Sequence, residues 1–320
     1  MLIPSNGQID QPNRFERRLS AGQWLWTTFA GIGYFAWFYG VVGLKTEHVA
    51  IFLLVVLLYF AHLKSRQFLF AFAIFLVYTI VFDSLRAFPN TEFNTVHIRD
   101  LYETEKYWFG VNYEGVRYTL NELSAMFHLP FFDVLSALFY INWVPVPLVF
   151  GFYLFVYHKQ LCLRFMYAFA LTKFVGMFIY YLYPAAPPWY VAQHGFEFIP
   201  TTIGHPAGLI HFDEITGFSF FEKFYAKAPA PFAAMPSMHC AFPVVCFIYG
   251  RELKNRLLNI AFFIFAAGIW LSAIYTQHHY TIDVLAGGAT AVFSCWLLEK
   301  LITLKRVKPW FEDLLIKIGG

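Results

Sequence analysis

The sequence predicts an all-α polytopic membrane protein with about eight transmembrane helices. Of its 320 residues, 59% are hydrophobic and 13% charged. Soluble domains hold roughly 25% charged residues, so most of this chain must face lipid or its own interior. Apolar runs of bilayer-crossing character recur along it. Lysine and arginine are shared unequally between the two sides of those runs. The aromatic content, 40 Phe, 20 Tyr and 9 Trp, suits a packed aromatic interior with interfacial belts. A net charge of +3 is too slight to suggest nucleic acid as a partner.

Residues 1–21 form a polar lead-in with Arg14, Arg17 and Arg18, and the first apolar run is long enough to remain as a span rather than be cleaved as a signal peptide. Apolar runs then cover about 22–44, 49–63 and 67–86. The mixed stretch from Ala87 to about Leu129 holds six of the 20 acidic residues and no run able to span. The run at 131–157 is interrupted by Asn142, Pro145 and Pro147, which predicts a short helix followed by a span. Further runs cover 164–183, 238–250, 257–275 and 281–301, giving eight in all. Trp310 to Lys317 reads as a short interfacial helix. With the N-terminus in the cytoplasm, fifteen lysines and arginines fall on the inner side and seven on the outer, with Lys173 inside a span. The positive-inside rule therefore predicts both termini in the cytoplasm. Four polar places then meet the outer face: the ends of the third and fifth spans, Ser237–His239, and the turn at His279. The segment Trp189–Met235, rich in Pro, Gly and His, lies on that side as a candidate lid.

Two polar clusters sit at the edges of apolar runs, where ionisable residues are expensive and point to function. In Tyr275-Thr276-Gln277-His278-His279-Tyr280-Thr281-Ile282-Asp283, His279 and Asp283 are four apart and share one helix face. A carboxylate there fixes the imidazole tautomer and leaves the other ring nitrogen free as a nucleophile. An interfacial pair capping a span is the plainer alternative. His278 points to another face and receives no role. In Pro236-Ser237-Met238-His239 the serine can cap a helix whose N-terminus offers free N–H groups to phosphate, and His239 can protonate a leaving alkoxide. A cap beside an interfacial histidine would look the same.

Other candidates are weaker. Asp83 and Arg86, three apart, are either a headgroup-recognition pair (Arg86 on phosphate, Asp83 on sugar hydroxyls) or a structural ion pair. Lys173 lies about ten residues from its span's end, roughly 15 Å deep, which is deep for a phosphate ligand. Trp189, Tyr190 and Gln277 complete the substrate-binding set, although Pro187-Pro188-Trp189-Tyr190 would also serve as a helix stop with an aromatic belt. His194, His205, His211, Asp213 and Glu214 are metal-ligand types without tight spacing. Cys162, Cys240, Cys246 and Cys295 show no CxxC or zinc pattern and read as buried thiols. No metal or other cofactor is assigned.

Pro-Ser-x-His followed forty residues later by Ser272-x6-His279-x3-Asp283 resembles the second and third signatures of the type-2 phosphatidic acid phosphatase superfamily. The resemblance implies a six-helix membrane core, here residues 67–302 with outer-face segments 87–130 and 184–236. It is preceded by two additional helices in 1–66 and followed by a tail, 303–320. It also implies His279 as a nucleophile forming a phosphohistidine, Asp283 as its orienter, and His239 as general acid and then base. Two departures are informative. The first signature, Lys-x6-Arg-Pro, retains Lys173 but has Tyr180 in place of Arg, and the Arg after the serine of the third is Ala273. A phosphomonoester or diphosphate needs a dense cationic clamp, whereas a diester carries one charge. Two lost arginines favour a diester.

One branch fits that departure. Tyr183-Pro184-Ala185-Ala186-Pro187-Pro188-Trp189-Tyr190, the two clusters above, Phe82-Asp83-Ser84-Leu85-Arg86, Asp100-Leu101-Tyr102-Glu103 and Phe109-Gly110 resemble the inositol phosphorylceramide synthases of fungi, the aureobasidin-sensitive type. The His-Tyr-Thr-Ile-Asp-Val run is also similar to sphingomyelin synthases. The resemblance, from about residue 80 to 300, implies transfer of an inositol-phosphate headgroup from phosphatidylinositol to ceramide or dihydroceramide, releasing diacylglycerol, with membrane lipids as partners. A lipid phosphatase or pyrophosphatase using water, and a non-catalytic scaffold, stay open. The short tails lean towards a bacterial plasma membrane over a Golgi membrane. The sequence is silent on accessory subunits and oligomers.

Overall fold

The computed structural model describes residues 21–227 and 230–320; Arg14, Arg17 and Arg18 lie outside the described residues. The helices are α1 (Ala21–Trp37), α2 (Thr46–Ala61), α3 (Leu63–Ser84), α4 (Arg99–Phe109), α5 (Leu120–Met126), α6 (Pro130–Ile141), α7 (Pro145–Tyr157), α8 (Lys159–Leu182), α9 (Pro188–His194), α10 (Ile210–Thr216), α11 (Phe220–Tyr225), α12 (Met238–Gly250), α13 (Arg256–Tyr275), α14 (Thr281–Leu301) and α15 (Lys308–Lys317). Two compact units divide within α3, after Phe70. The first contains α1, a π-helical turn at Phe38–Val42, and α2; the second contains all that follows.

Each predicted apolar run is helical, but eight full crossings are not reached. Five stretches are long and apolar enough to cross a bilayer: Trp24–Val42, α3, α8, α13 and α14. A sixth is obtained if α6 and α7, bent by 41° at Asn142–Val144, count as one span. The break has a local cause, since Pro145 opens α7 and Asn142 turns its side-chain amide back onto the Leu138 carbonyl. The other two runs are short. α2 has 16 residues and α12 only 13, against the ~20 a bilayer core requires. The apolar run 238–250 coincides with α12: Ser237 caps it at one end and the polar turn Arg251–Leu253 closes it at the other. These apolar helices make the chain a membrane protein.

The core of the second unit is built on α8 and α12. α8, the longest helix, is buried along most of its length and packs against α14, α12 and α7. α12 fits between α8, α13 and α14, and α13 packs on α6. Close approach of α14 to α12 depends on Gly287, whose missing Cβ would stand 2.2 Å from the Ser237 carbonyl oxygen. The Cys162, Cys240, Cys246 and Cys295 thiols are free and buried.

The two outer segments have structure of their own. The first carries α4, whose buried face is Leu101, Tyr102 and Glu105, and α5, started by a capping box between Thr119 and Glu122. Between them lies a small antiparallel hairpin, β1 (Val111–Tyr113) with β2 (Val116–Tyr118), Val111 facing Tyr118. An all-α reading missed it; the two-residue turn Glu114-Gly115 has φ of 49° and 81°, the twist that closes hairpins. The candidate lid holds α9, α10 and α11 and is stitched to the first segment through Ala185. His97 N–H donates to Pro184 (2.8 Å), Ala186 N–H to His97 (3.0 Å), and Ala185 N–H to Phe232 (2.9 Å). α15 is helical as expected, with Trp310 and Phe311 edge-on to Tyr167 of α8.

Candidate active site

Three elements bring the two polar clusters together: the N-terminus of α12, the turn 276–280, and the N-terminus of α14. His239 Nδ1 lies 3.1 Å from His279 Nε2. On the far side of the His279 ring, Nδ1 is 3.7 Å from Asp283 Oδ2, beyond hydrogen-bond length but close enough for a charge to act. Asp283 is fully buried, and Oδ2 accepts the Tyr280 N–H at 2.8 Å, so the carboxylate also starts α14. Ser237 caps α12, its Oγ accepting from Cys240 N–H at 3.3 Å. The Ser237 N–H donates to the Asp283 carbonyl at 2.9 Å, which welds the two helix starts together. Aromatic rings wall the pair, with Tyr140 of α6 stacked on His239 at 4.6 Å and Trp143 at 4.5 Å.

The turn carrying the histidines is held from both outer segments. Glu105 of α4, fully buried, accepts the N–H groups of Thr281 (2.9 Å) and Ile282 (3.1 Å), supplying partners and a negative charge to the N-terminus of α14. Asn121 of α5 donates to the carbonyls of Ile274 and His279, both at 2.9 Å. From the lid, Trp189 N–H donates to Gln277 (3.1 Å) and Gly208 N–H to Thr276 (2.9 Å). A Cβ on Gly208 would stand 3.0 Å from Thr276 Cα, a tight contact, so glycine eases the close approach of the lid backbone. The Ala273 carbonyl accepts from His278 N–H (3.1 Å) and His279 N–H (3.0 Å).

Sequence reasoning missed Glu105 and Asn121. A signal for Glu105 was present: it falls on the same helical face as Leu101 and Tyr102, so an acid is turned towards the core. His278 was also passed over. It is buried, its ring lying between Tyr140 (5.1 Å) and Tyr225 (4.6 Å). Burial, and then the neighbouring His279, hold it well below the ordinary histidine range.

The remaining candidates have structural contacts of their own. Asp83 and Arg86 pair with each other at 2.8 Å, and Arg86 also donates to the Lys227 carbonyl, so this pair fastens the lid to the end of α3. Lys173 is buried in a cage of rings, its Nζ 4.5 Å from Phe82 and 5.4–6.0 Å from Tyr78, Phe242 and Tyr180. Tyr190 is fully buried, donating to Glu197 (2.6 Å) and accepting from Ile199 (2.8 Å). Trp189 packs near His205, and Gln277 holds a φ of 61° that shapes the turn. His211 pairs with Glu214, and Asp213 caps α11 through the N–H groups of Phe221 and Glu222. Among the described residues no group of three or more His, Cys, Asp or Glu could hold a metal ion.

The profile of the PAP2 superfamily matches residues 115–297. A phosphoinositol dihydroceramide synthase of Bacteroides thetaiotaomicron is 41% identical over 281 residues, covering 87% of this chain and 88% of that protein. The inositol phosphorylceramide synthase catalytic subunit of Schizosaccharomyces pombe is 26% identical over 250 residues, 74% of this chain and 55% of that one. That of Saccharomyces cerevisiae is 31% identical over 115 residues, 35% and 28% respectively. The matches thus span about half or less of these two fungal relatives and nearly all of the bacterial one. No solved structure matches the chain.

Proposed function

The chain belongs to the PAP2 superfamily, and from that premise we propose that it is a lipid phosphotransferase moving an inositol-phosphate headgroup from phosphatidylinositol to ceramide or dihydroceramide. The names of its bacterial and fungal relatives support this reading of headgroup and acceptor. The observation that carries it is the 3.1 Å approach of His239 Nδ1 to His279 Nε2, with Asp283 behind the His279 ring.

The buried carboxylate at Asp283 favours the tautomer with hydrogen on His279 Nδ1. Nε2 then carries the lone pair, and the 3.1 Å contact is donated by His239 Nδ1–H. Nucleophile and proton donor are thus poised at one point, where the phosphorus must enter as the rings part. His279 Nε2 attacks phosphorus, the bond to the diacylglycerol oxygen breaks, and that oxygen takes the proton from His239. In the second half the acceptor hydroxyl gives its proton to His239, its oxygen attacks the phosphohistidine, and the P–N bond breaks. With the Ser237 N–H held by the Asp283 carbonyl, the N–H groups of the first turn of α12 are the ones offered to the equatorial oxygens. Both lipids arrive through the bilayer. The distribution of Lys and Arg supports cytoplasmic termini and a site on the outer face, and the bacterial relative supports a bacterial plasma membrane.

The test is purified protein in mixed micelles with phosphatidylinositol labelled on phosphate. Ceramide-dependent labelled product and an acid-labile label on the protein, both lost in His279→Ala, are expected. Inorganic phosphate from phosphatidic acid, with no ceramide product, would replace the transferase by a phosphatase.

A further inference from the structure

His278 has a feature that the two-histidine reaction leaves unused. Its Nδ1 lies 3.1 Å from the Thr276 carbonyl and 3.1 Å from Thr276 Oγ1. The Thr276 hydroxyl has one hydrogen, and that hydrogen is donated to the Ser272 carbonyl at 2.7 Å. Both neighbours of Nδ1 are therefore acceptors, so Nδ1 must carry the proton. In the neutral ring Nε2 is then a bare lone pair, and it is buried with no hydrogen-bond partner. A buried acceptor left unpaired costs about 1–3 kcal/mol, so the fold maintains this nitrogen against a penalty.

Its surroundings indicate what it awaits. Tyr140 lies against both His278 and His239, with ring centroids 5.1 and 4.6 Å away, so the two histidines share one ring as neighbour. Tyr140 belongs to an apolar cluster with Ala137, Leu209, Phe221, Phe265, Ile269 and Ala273, against which Trp143 and Tyr225 pack. The Tyr140 hydroxyl likewise lacks a hydrogen bond of good geometry. A ligand suited to this place is mostly apolar and carries one or two donors close to the reacting oxygen. An inositol ring is not such a ligand, because most of its hydroxyls would be desolvated here without partners. A sphingoid lipid is: its amide nitrogen and its secondary hydroxyl stand on the carbons next to the primary hydroxyl that reacts. Diacylglycerol offers no donor beyond its single hydroxyl, and water brings no apolar body.

We infer that His278 Nε2 is the specificity-determining contact for the acceptor lipid, taking the amide N–H or the neighbouring hydroxyl of a sphingoid base seated against Tyr140. The subsite rests on the transferase reading above. It orients the primary hydroxyl towards His239 and makes the phosphohistidine discharge to a ceramide rather than to diacylglycerol or water.

The experiment uses the full chain in proteoliposomes with phosphatidylinositol and three acceptors: dihydroceramide, its N-methyl analogue and its 3-deoxy analogue. Wild type should lose at least tenfold in kcat/KM on one of the two analogues. His278→Phe should lower kcat/KM for dihydroceramide tenfold or more through KM, treat that analogue and dihydroceramide alike, and release more free inositol phosphate per transfer. The KM for phosphatidylinositol should change less than twofold. His278→Gln, which keeps an acceptor oxygen, should recover part of the discrimination. Should His278→Phe not fold, the wild-type analogue series and His278→Gln still decide. Wild type that transfers to dihydroceramide but accepts both analogues equally overturns the subsite alone, as does a His278 variant that lowers kcat with discrimination intact. Loss of selectivity among deoxy-inositol donors instead would assign the lone pair to the headgroup and overturn the inference. Wild type that transfers nothing to dihydroceramide overturns the proposed function itself.

Discussion

Gly287→Ala tests whether the site's geometry is set by the weld between α12 and α14. Position 287 is one helical turn beyond Asp283, on the face that meets Ser237. An added Cβ would lie 2.2 Å from the Ser237 carbonyl oxygen, 3.1 Å from its carbon and 3.3 Å from its nitrogen. All three are backbone atoms, so no rotamer change relieves the overlap. Contacts below 3.0 Å are essentially never seen for real Cβ atoms, so the helix starts must part by about 0.8 Å or more. That parting stretches the Ser237 N–H bond to the Asp283 carbonyl and carries His239 away from His279. Misplacement near 1 Å costs about 10²-fold in rate, and overpacking destabilises by about 1–3 kcal/mol. Gly176→Ala is the matched control. Its Cβ would come as close as 2.5 Å, but to the flexible Met238 side chain, which can turn aside. Transfer assays on monodisperse protein should show a loss near 10²-fold for Gly287→Ala and at least ten times less for Gly176→Ala. Gly287→Ala that is folded and within threefold of wild type would refute the weld as the device that sets the histidine distance.

Glu105→Ala removes the acceptor of two part-buried N–H groups, at up to about 1–3 kcal/mol each. A large drop in melting temperature in detergent is expected, with Glu105→Gln falling less because one acceptor remains; an unchanged transition for Glu105→Ala would contradict the capping role. Ala273→Arg should not raise transfer or create phosphatidic acid hydrolysis, because residue 273 is fully buried in the Tyr140 cluster and a guanidinium there would be unpaired; a gain in either activity would undermine the diester argument. For pH, the folded His278 lies below its unfolded value near 6.5, so its contribution is complete above about pH 6.5. It is lost as pH falls, by up to about 1.4 kcal/mol per unit. Melting temperature should therefore decline on acidification below 6.5, and His278→Gln should flatten that decline.

The parts of the site that were legible in the sequence are those whose chemistry needs local spacing. His279 and Asp283 must be four apart to share a face, and Ser237 must precede His239 to start a helix, so both clusters stand out from the apolar text. What holds them was not legible, because it is long-range. Glu105 meets Thr281 and Ile282 across 176 and 177 residues, and Asn121 meets His279 across 158. Nothing in either local pattern names its partner. Asp83 and Arg86 show where spacing is ambiguous: it fits recognition and pairing equally, and tertiary structure joins them to each other and to the lid. Lys173 was placed deep by counting residues, but only the fold reveals that rings from α3, α8 and α12 surround it. The bounds of α12 were legible, since the apolar run 238–250 is the helix Met238–Gly250; the tie of its serine cap to Asp283 was not.

Ala273 and His278 are two consequences of one arrangement. Where the superfamily signature has arginine, this chain has a methyl group packed in the cluster that contains Tyr140, while the backbone carbonyl of Ala273 positions the N–H groups of His278 and His279. A guanidinium in that place would serve a phosphate bearing two charges, and it would need the space the apolar cluster fills. With the arginine gone, the ground beside the histidines is apolar and supplies one neutral acceptor, His278 Nε2, in place of a cation. A cation there would hold a phosphomonoester and favour its hydrolysis. A neutral acceptor among rings does little for phosphate but can hold the N–H or O–H of a second lipid. The change that weakens this site as a phosphatase is thus the same change that lines it with apolar groups suited to an acceptor other than water.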